Sequence, residues 1–593
     1  MTAPVTERGA TRQPGRGIGR AAAIIGVLTV ASGVIGFVRQ LVFAHTVGAS
    51  CVGTAYTTAN QVPNIIYDIV LGGALTSAVV PVLAGPVARA AGCGAGRSGG
   101  SARLAGCPAD AAASPGDVAV AAAEARRIAS ALLTWTVLLL VPAAAVIALV
   151  AGPLTALLIP AARGCVHAST LAVSVRMLVA FAPQIPLYGI AVVLYGILQS
   201  HRRFTAPALA PIVSSVVVAA AYVGFQALGN GYQNRPGTLP ASAELILALG
   251  TTAGVAALAL TAAVPAGRLR LGLRPTLRFP DGVAARVRGL AMVGVITLIA
   301  QDLSTVAAIV LANAQGEGGA LVLYSYGWQV FFIVYAGLAV PIATSVFPVL
   351  SARAGDRTDA ARAEFDGTSA AATRAVMLMS WLGAALLAGA CVPLARVFAT
   401  HDHAQASQLA VALALFAPGL AGYGLTATLS RVMFAAGRSR ATAAAVGGGW
   451  LLVIVADVAI VPLVPHSWVV PALGLGTTIG LSAAGIALTA TVRRSLGAAP
   501  LWGVPRATLA GLAAALAGAG AGAAVAASLP VSGFLPNAAV TALACAVAAL
   551  VFLAVTMFAD GGDLRAASGR LLGRFRGQVP PVPPAPPRAG ACG

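Results

Sequence analysis

The stretch GFVRQLVFAHTVGASCVGTAYTTANQVPNIIYDIVLGG, Gly36 to Gly73, contains one arginine, Arg39, and one acid, Asp68, and no other formal charge. It joins two apolar runs, 21–45 and 60–84, each long enough to cross about 30 Å of hydrocarbon at about 1.5 Å per residue. Two such runs separated by a short turn predict a membrane hairpin. An arginine and an aspartate inside it require a partner or a polar cavity.

The rest of the chain repeats this character. It has 593 residues, 58% hydrophobic and only 9% charged, with a mean hydropathy of +0.88, too little polar surface to cover a water-soluble globule of that size. Apolar runs of membrane length recur to residue 559, and fourteen are expected. The predicted class is an all-α polytopic membrane protein. Residues 1–20 form a basic N-terminus, 21–265 a first lobe of six spans, 266–288 a basic linker, 289–492 a second lobe of six, 507–559 a further pair of spans, and 560–593 a Pro-rich tail. The segment 86–126, rich in Gly, Ala and Ser, reads as a flexible insertion in the first lobe.

The net charge of +20 does not indicate nucleic acid, because the 37 basic residues, all arginine, mark loops. On the fourteen-span scheme 31 of them fall on one side and only Arg163, Arg235 and Arg396 in the opposite loops. The positive-inside rule then predicts a plasma-membrane protein with both termini in the cytoplasm. Cys51 and Cys165 fall in predicted outside loops, where they can pair. The seven cysteines show no CxxC and no paired histidine spacing, so no Cys/His metal site is expected. A phosphate loop with its lysine is missing too, since the chain has no lysine, and neither ATP-driven transport nor another enzymatic activity is expected.

An internal repeat supports the two lobes. SAVVPVLA (Ser77 to Ala84) is matched by TSVFPVLSA (Thr344 to Ala352), and YGIAVVLYGILQSHRRFTAPA (from Tyr188) by YGLTATLSRVMFAAGRSRATA (from Tyr423). The offsets, 267 and 235, differ by about the length of the insertion. An even number of spans between copies gives both the same orientation, with a cavity expected between them.

Six ionisable residues fall inside the spans. Arg39 and Asp68 are placed at similar depth in the outer third, so a structural ion pair and a ligand site are both open. Asp302, beside Gln301 in mid-span, is the candidate for coupling to a proton or sodium gradient or to the membrane potential. Asp457 lies toward the outer end of its span. Arg176 and Arg431 lie near span ends and are expected to snorkel, with Glu244 interfacial.

The stretches ASGVIGFVRQLVFAHTVGA, NQVPNIIYDIVLGGALTSAVVPVLA, GILQSHRRFTAPALAPIV and LYSYGWQVFFIVYAGLAVPIATSVFPVLS resemble, in order over about residues 20–560, the MurJ/MviN family of lipid II flippases within the multidrug/oligosaccharidyl-lipid/polysaccharide exporter superfamily. High alanine, glycine and arginine without lysine suits a divergent member from a GC-rich, actinobacterial genome. The resemblance implies outward movement of a lipid-linked peptidoglycan precursor in cell-wall biogenesis and cell shape, with cavity cations holding its diphosphate and no cofactor. Of the family's cavity arginines only Arg39 is kept; the others read Gly33, Asp68 and Gln329, the last beside Trp328. Arg39, Asp68, Trp328 and Gln329 are therefore the expected substrate-binding residues. Two other functions stay open: an ion-coupled antiporter of amphipathic small molecules, and a transport-inactive scaffold that meets cell-wall synthesis proteins through its Pro-rich tail.

Overall fold

The opening hairpin is built in a computed structural model that describes residues 15–70, 79–90, 115–201, 203–269, 271–279, 283–355, 358–400 and 402–559. Helix α1 (Gly15–Thr46) ends in a turn at Gly48, whose φ of 69° favours a residue without a Cβ, and α2 (Cys51–Asp68) follows. Ser50 starts α2: its Oγ accepts the Gly53 N–H at 3.0 Å, satisfying a donor that the helix leaves open.

The first lobe continues through α3 (Val79–Ala90), α4 (Pro115–Leu149), α5 (Ala151–Leu158), α6 (His167–Phe181), α7 (Gln184–Ser200), α8 (Thr205–Gly229) and α9 (Ala241–Gly267). The same order of lengths then returns in α10 (Val283–Gln315), α11 (Ala320–Leu338), α12 (Val340–Ala354), α13 (Asp359–Gly389), α14 (Cys391–Phe398), α15 (His403–Phe416), α16 (Gly419–Ala435), α17 (Ser439–Ile460) and α18 (Val469–Leu496). Packing repeats with it. Helix α1 packs on α8 as α10 does on α17, α8 on α9 as α17 on α18, and α3 on α4 as α12 on α13. The eight-residue α5 and α14 occupy equivalent places after the long α4 and α13. Small residues permit the closest approaches, as between Gly449 and Gly480, where a Cβ on Gly480 would stand 2.6 Å from the Gly449 carbonyl oxygen. The final pair, α19 (Val504–Ser528) and α20 (Phe534–Ala559), packs on itself and on α13 and α14 of the second lobe.

Eleven helices among the described residues are long and apolar enough to span a membrane, or twelve with α15 and α16, bent by 43°, taken together. The expected fourteen is not reached in this count. The two further expected spans fall on α1 and on α2 with α3, which run partly through residues not described with side chains or not described at all.

One expectation about loops is corrected. The insertion is helical at both ends, as the last turn of α3 and the start of α4, and Arg89 of α3 pairs with Glu124 of α4 at 2.8 Å; residues 91–114 lie outside the description. The basic linker is docked along α4. Backbone N–H groups of Arg274 and Thr276 donate to Ser130 Oγ at 3.2 Å and Thr134 Oγ1 at 3.1 Å, and Trp135 Nε1 donates to the Leu277 carbonyl at 3.1 Å. The Pro-rich tail, 560–593, is not described.

Candidate functional site

A cavity of about 560 Å³ lies between the lobes, and its principal walls are α2 and α11. These helices carry matched sequences, YTTANQVPNIIY from Tyr56 and YSYGWQVFFIVY from Tyr324, at a constant offset of 268. Tyr56 and Tyr324, Thr57 and Ser325, Asn60 and Trp328, and Gln61 and Gln329 all line the cavity as equivalent pairs. The symmetry extends to ring packing: Tyr67 of α2 meets Tyr188 of α7 at 4.3 Å, and Tyr335 of α11 meets Tyr423 of α16 at 4.2 Å. Chemically the walls differ. The first lobe supplies Asn60, Gln61, Asn64 and Asp68; opposite, Trp328 packs with Phe331, Phe416, Tyr423 and Trp450.

All six residues singled out in the sequence, Arg39, Asp68, Gln301, Asp302, Trp328 and Gln329, line this one cavity. The expected depth of Asp68 is wrong. Arg39 is about 10 Å along α1 from its end, whereas Asp68 closes α2 about 25 Å from its start, so they are not at similar depth. Ion pairs among the described residues include Arg89–Glu124, Arg176–Glu244 and Arg353–Glu364; Arg39 and Asp68 do not form one. The staple reading fails on this geometry. The field of Arg39 falls instead on Tyr56, Tyr188 and Tyr222, and its Nε is buried without a hydrogen-bond partner.

Asp302 on α10 enters the cavity from the second lobe and is 6% exposed, with Oδ2 lacking a hydrogen-bond partner. Asp68, an exposed residue, approaches from the first lobe, and the two carboxylates interact electrostatically. Asp457 is fully buried away from the cavity lining, against Gly476 of α18, where a Cβ would collide with its carboxylate.

The cavity is sealed at the end that holds the α1–α2 turn. There Asn313 Nδ2 of α10 donates to Thr58 Oγ1 at 3.0 Å and to the Leu158 carbonyl at 2.9 Å. The Gly319 N–H donates to Thr54 Oγ1 at 3.1 Å, Gln405 Nε2 donates to the Ala49 carbonyl at 2.9 Å, and His45 Nε2 lies 3.2 Å from Thr400 Oγ1. Every one of these bonds crosses from lobe to lobe. Cys51 and Cys165 are joined here as a disulfide, tying the start of α2 to the loop before α6. Arg176 is held in place: its Nε and Nη2 both donate to Glu244 at 2.7 Å, clamping α6 to α9 through a glutamate buried in the protein. Arg431 donates back to the Ala427 carbonyl at 2.6 Å.

Two pseudo-equivalent helical lobes around a cavity closed at one end define the architecture of a multi-pass membrane protein built from an internal repeat. The family model described as lipid II flippase MurJ matches residues 43–541, and the chain belongs to that family. A probable lipid II flippase MurJ of Haemophilus influenzae (strain ATCC 51907 / DSM 11121 / KW20 / Rd) is 40% identical over 57 residues, covering 10% of this chain and 11% of that protein, so the alignment spans about a tenth of the relative's length. Among solved structures, a lipid II flippase MurJ in an inward closed conformation superposes with a TM-score of 0.65 at 16% identity, covering 90% of this chain and 98% of that one. An inward-facing multidrug resistance MATE family transporter superposes at 0.60 with 12% identity, covering 79% and 95%. At these identities the superpositions establish the fold alone.

Proposed function

We propose that this chain carries lipid II, or a related polyprenyl-diphosphate glycolipid, from the cytoplasmic to the outer leaflet of the plasma membrane. The observation that carries the reading is the polar cavity between matched lobes of a MurJ family member, closed at one end by bonds that cross between the lobes. In this reading both termini are cytoplasmic and the closed end faces outward, as the arginine distribution requires.

Arg39, whose Nε has no protein partner, offers charge-assisted hydrogen bonds to a diphosphate, while the amides of Asn60, Gln61, Asn64 and Gln329 meet polar parts of the headgroup. The lipid tail stays in the bilayer. A glycan headgroup with its peptide exceeds the present cavity, so loading spreads the lobes. Export then breaks the bonds at the sealed end as the opposite end closes. Asp302, with Gln301, is the group through which a cation would act on this cycle.

The test is complementation of a bacterial strain depleted of its own lipid II flippase. The wild-type chain restores growth and shape, and Arg39→Ala at equal membrane abundance does not. Failure of the wild-type chain, when inserted at normal abundance, contradicts the reading.

A further inference from the structure

The cavity poses a charge problem for the ligand proposed above, and the inference rests on that reading. Arg39 is its one cationic side chain among the described lining residues, against two acids, Asp68 and Asp302. With both ionised the cavity is one charge negative before a dianionic diphosphate enters. Coulomb repulsion between such groups is severe in a medium less polar than water. Lone Arg39, about 15 Å nearer the sealed end than Asp68, cannot offset it locally.

We propose that Asp68 and Asp302 take a divalent cation that enters with the diphosphate and bridges it to both lobes. Four observations point the same way. The two acids face one cavity from opposite lobes, Asp68 at the end of α2 and Asp302 on α10. Asp302 is 94% buried, from its 6% exposure, and its Oδ2 has no partner in the protein. Asp68 has no ion-pair partner among the described residues. The same cavity lining carries the amide oxygens of Gln301 and Gln329, and those of Asn64 and Gln61, which accept from Tyr188 Oη at 3.2 Å and Asn64 Nδ2 at 3.4 Å. Magnesium-like cations suit this set: hard oxygen ligands, one or two protein carboxylates, with substrate phosphates and water completing the shell. Because none of the donors is cysteine or histidine, a search for Cys/His spacing misses such a site.

The placement also has a mechanical consequence. Empty, the two acids repel across the lobe interface at the unsealed end and hold it apart. A cation shared with the diphosphate removes that repulsion and draws the same two helices together. Loading thereby favours closure of the side from which the lipid came. A proton on each acid balances the charge equally well but bridges nothing, and the experiment separates the two.

Purified full-length chain is dialysed to equilibrium with Mn²⁺, alone and with geranylgeranyl diphosphate, and protein-bound metal and diphosphate are counted. The expected result is that each raises the affinity for the other by the same factor of at least tenfold, as linkage requires. Asp68→Asn and Asp302→Asn lose that factor, while Asp457→Asn, a buried acid outside the cavity lining, keeps it. Diphosphate binding by the wild-type chain that is unchanged by EDTA, or a mutual metal–diphosphate enhancement that persists undiminished in both Asn variants, overturns the cation site and leaves the flippase reading standing. Absence of diphosphate binding under every condition removes both. The wild-type comparison with and without EDTA decides the matter even if a variant fails to fold.

Discussion

Replacing Asn313 loosens the sealed end without touching the cavity lining. Its amide makes two bonds to the first lobe from α10, to Thr58 Oγ1 at 3.0 Å and the Leu158 carbonyl at 2.9 Å, and the residue is 5% exposed. Each bond contributes about 0.5–1.5 kcal/mol net when its groups can rehydrate in the open state, so losing both costs the closed state about 1–3 kcal/mol. At about 1.4 kcal/mol per factor of ten, Asn313→Ala shifts the closed-to-open ratio by about 5- to 150-fold. Spin labels placed across the seal, one replacing Ala162 in the first lobe and one replacing Ser407 in the second, report this as a new long-distance population in pulsed dipolar spectroscopy. Transport changes in the same variant, because the two end states no longer balance. An unaltered distance distribution in a folded Asn313→Ala protein refutes the claim that these bonds hold the gate.

Three other outcomes follow from the described contacts. Because Arg39 and Asp68 are not paired, the thermal-stability effects of Arg39→Met and Asp68→Leu should add within about 0.5 kcal/mol in a double-mutant cycle, and a coupling of several kcal/mol contradicts their separation. Arg176→Met leaves the buried Glu244 without its clamp and should cost about 1–3 kcal/mol, reduced toward the lower end because the arginine side chain is 56% exposed; adding Glu244→Leu should recover most of the loss of melting temperature. An impermeant thiol reagent added to intact cells should label cysteines introduced at Asn230 and Pro536 and spare one at Ala363, and the reverse pattern inverts the orientation.

Much of the architecture is legible in the sequence because its cause is local: twenty apolar residues make a span, and arginines mark one side. The Cys51–Cys165 bond is legible for the same reason, since both residues fall in loops assigned to one face. The depth of Asp68 is not. Helix α2 begins at Cys51, but Thr54, Thr57 and Thr58 in its first half face the cavity or the other lobe, so hydropathy mistakes that half for loop and starts the span at residue 60. A polar cavity wall hides a helix from a measure built on lipid contact. The α2–α11 repeat was available as a constant offset of 268, with Gln61 over Gln329 and Tyr67 over Tyr335 as its clearest marks. The Arg176–Glu244 clamp joins residues 68 apart on different helices, and nothing in their local sequence pairs them.

The most direct test of lipid export follows the lipid itself. In cells depleted of their own flippase and expressing this chain, an externally added, membrane-impermeant enzyme that cleaves the lipid II diphosphate should release headgroup at the rate of flippase-replete cells. The predicted result is that release with the wild-type chain and at least a tenfold fall with Arg39→Ala at equal abundance. Lipid II that stays protected from the enzyme while the wild-type chain is folded and inserted contradicts it.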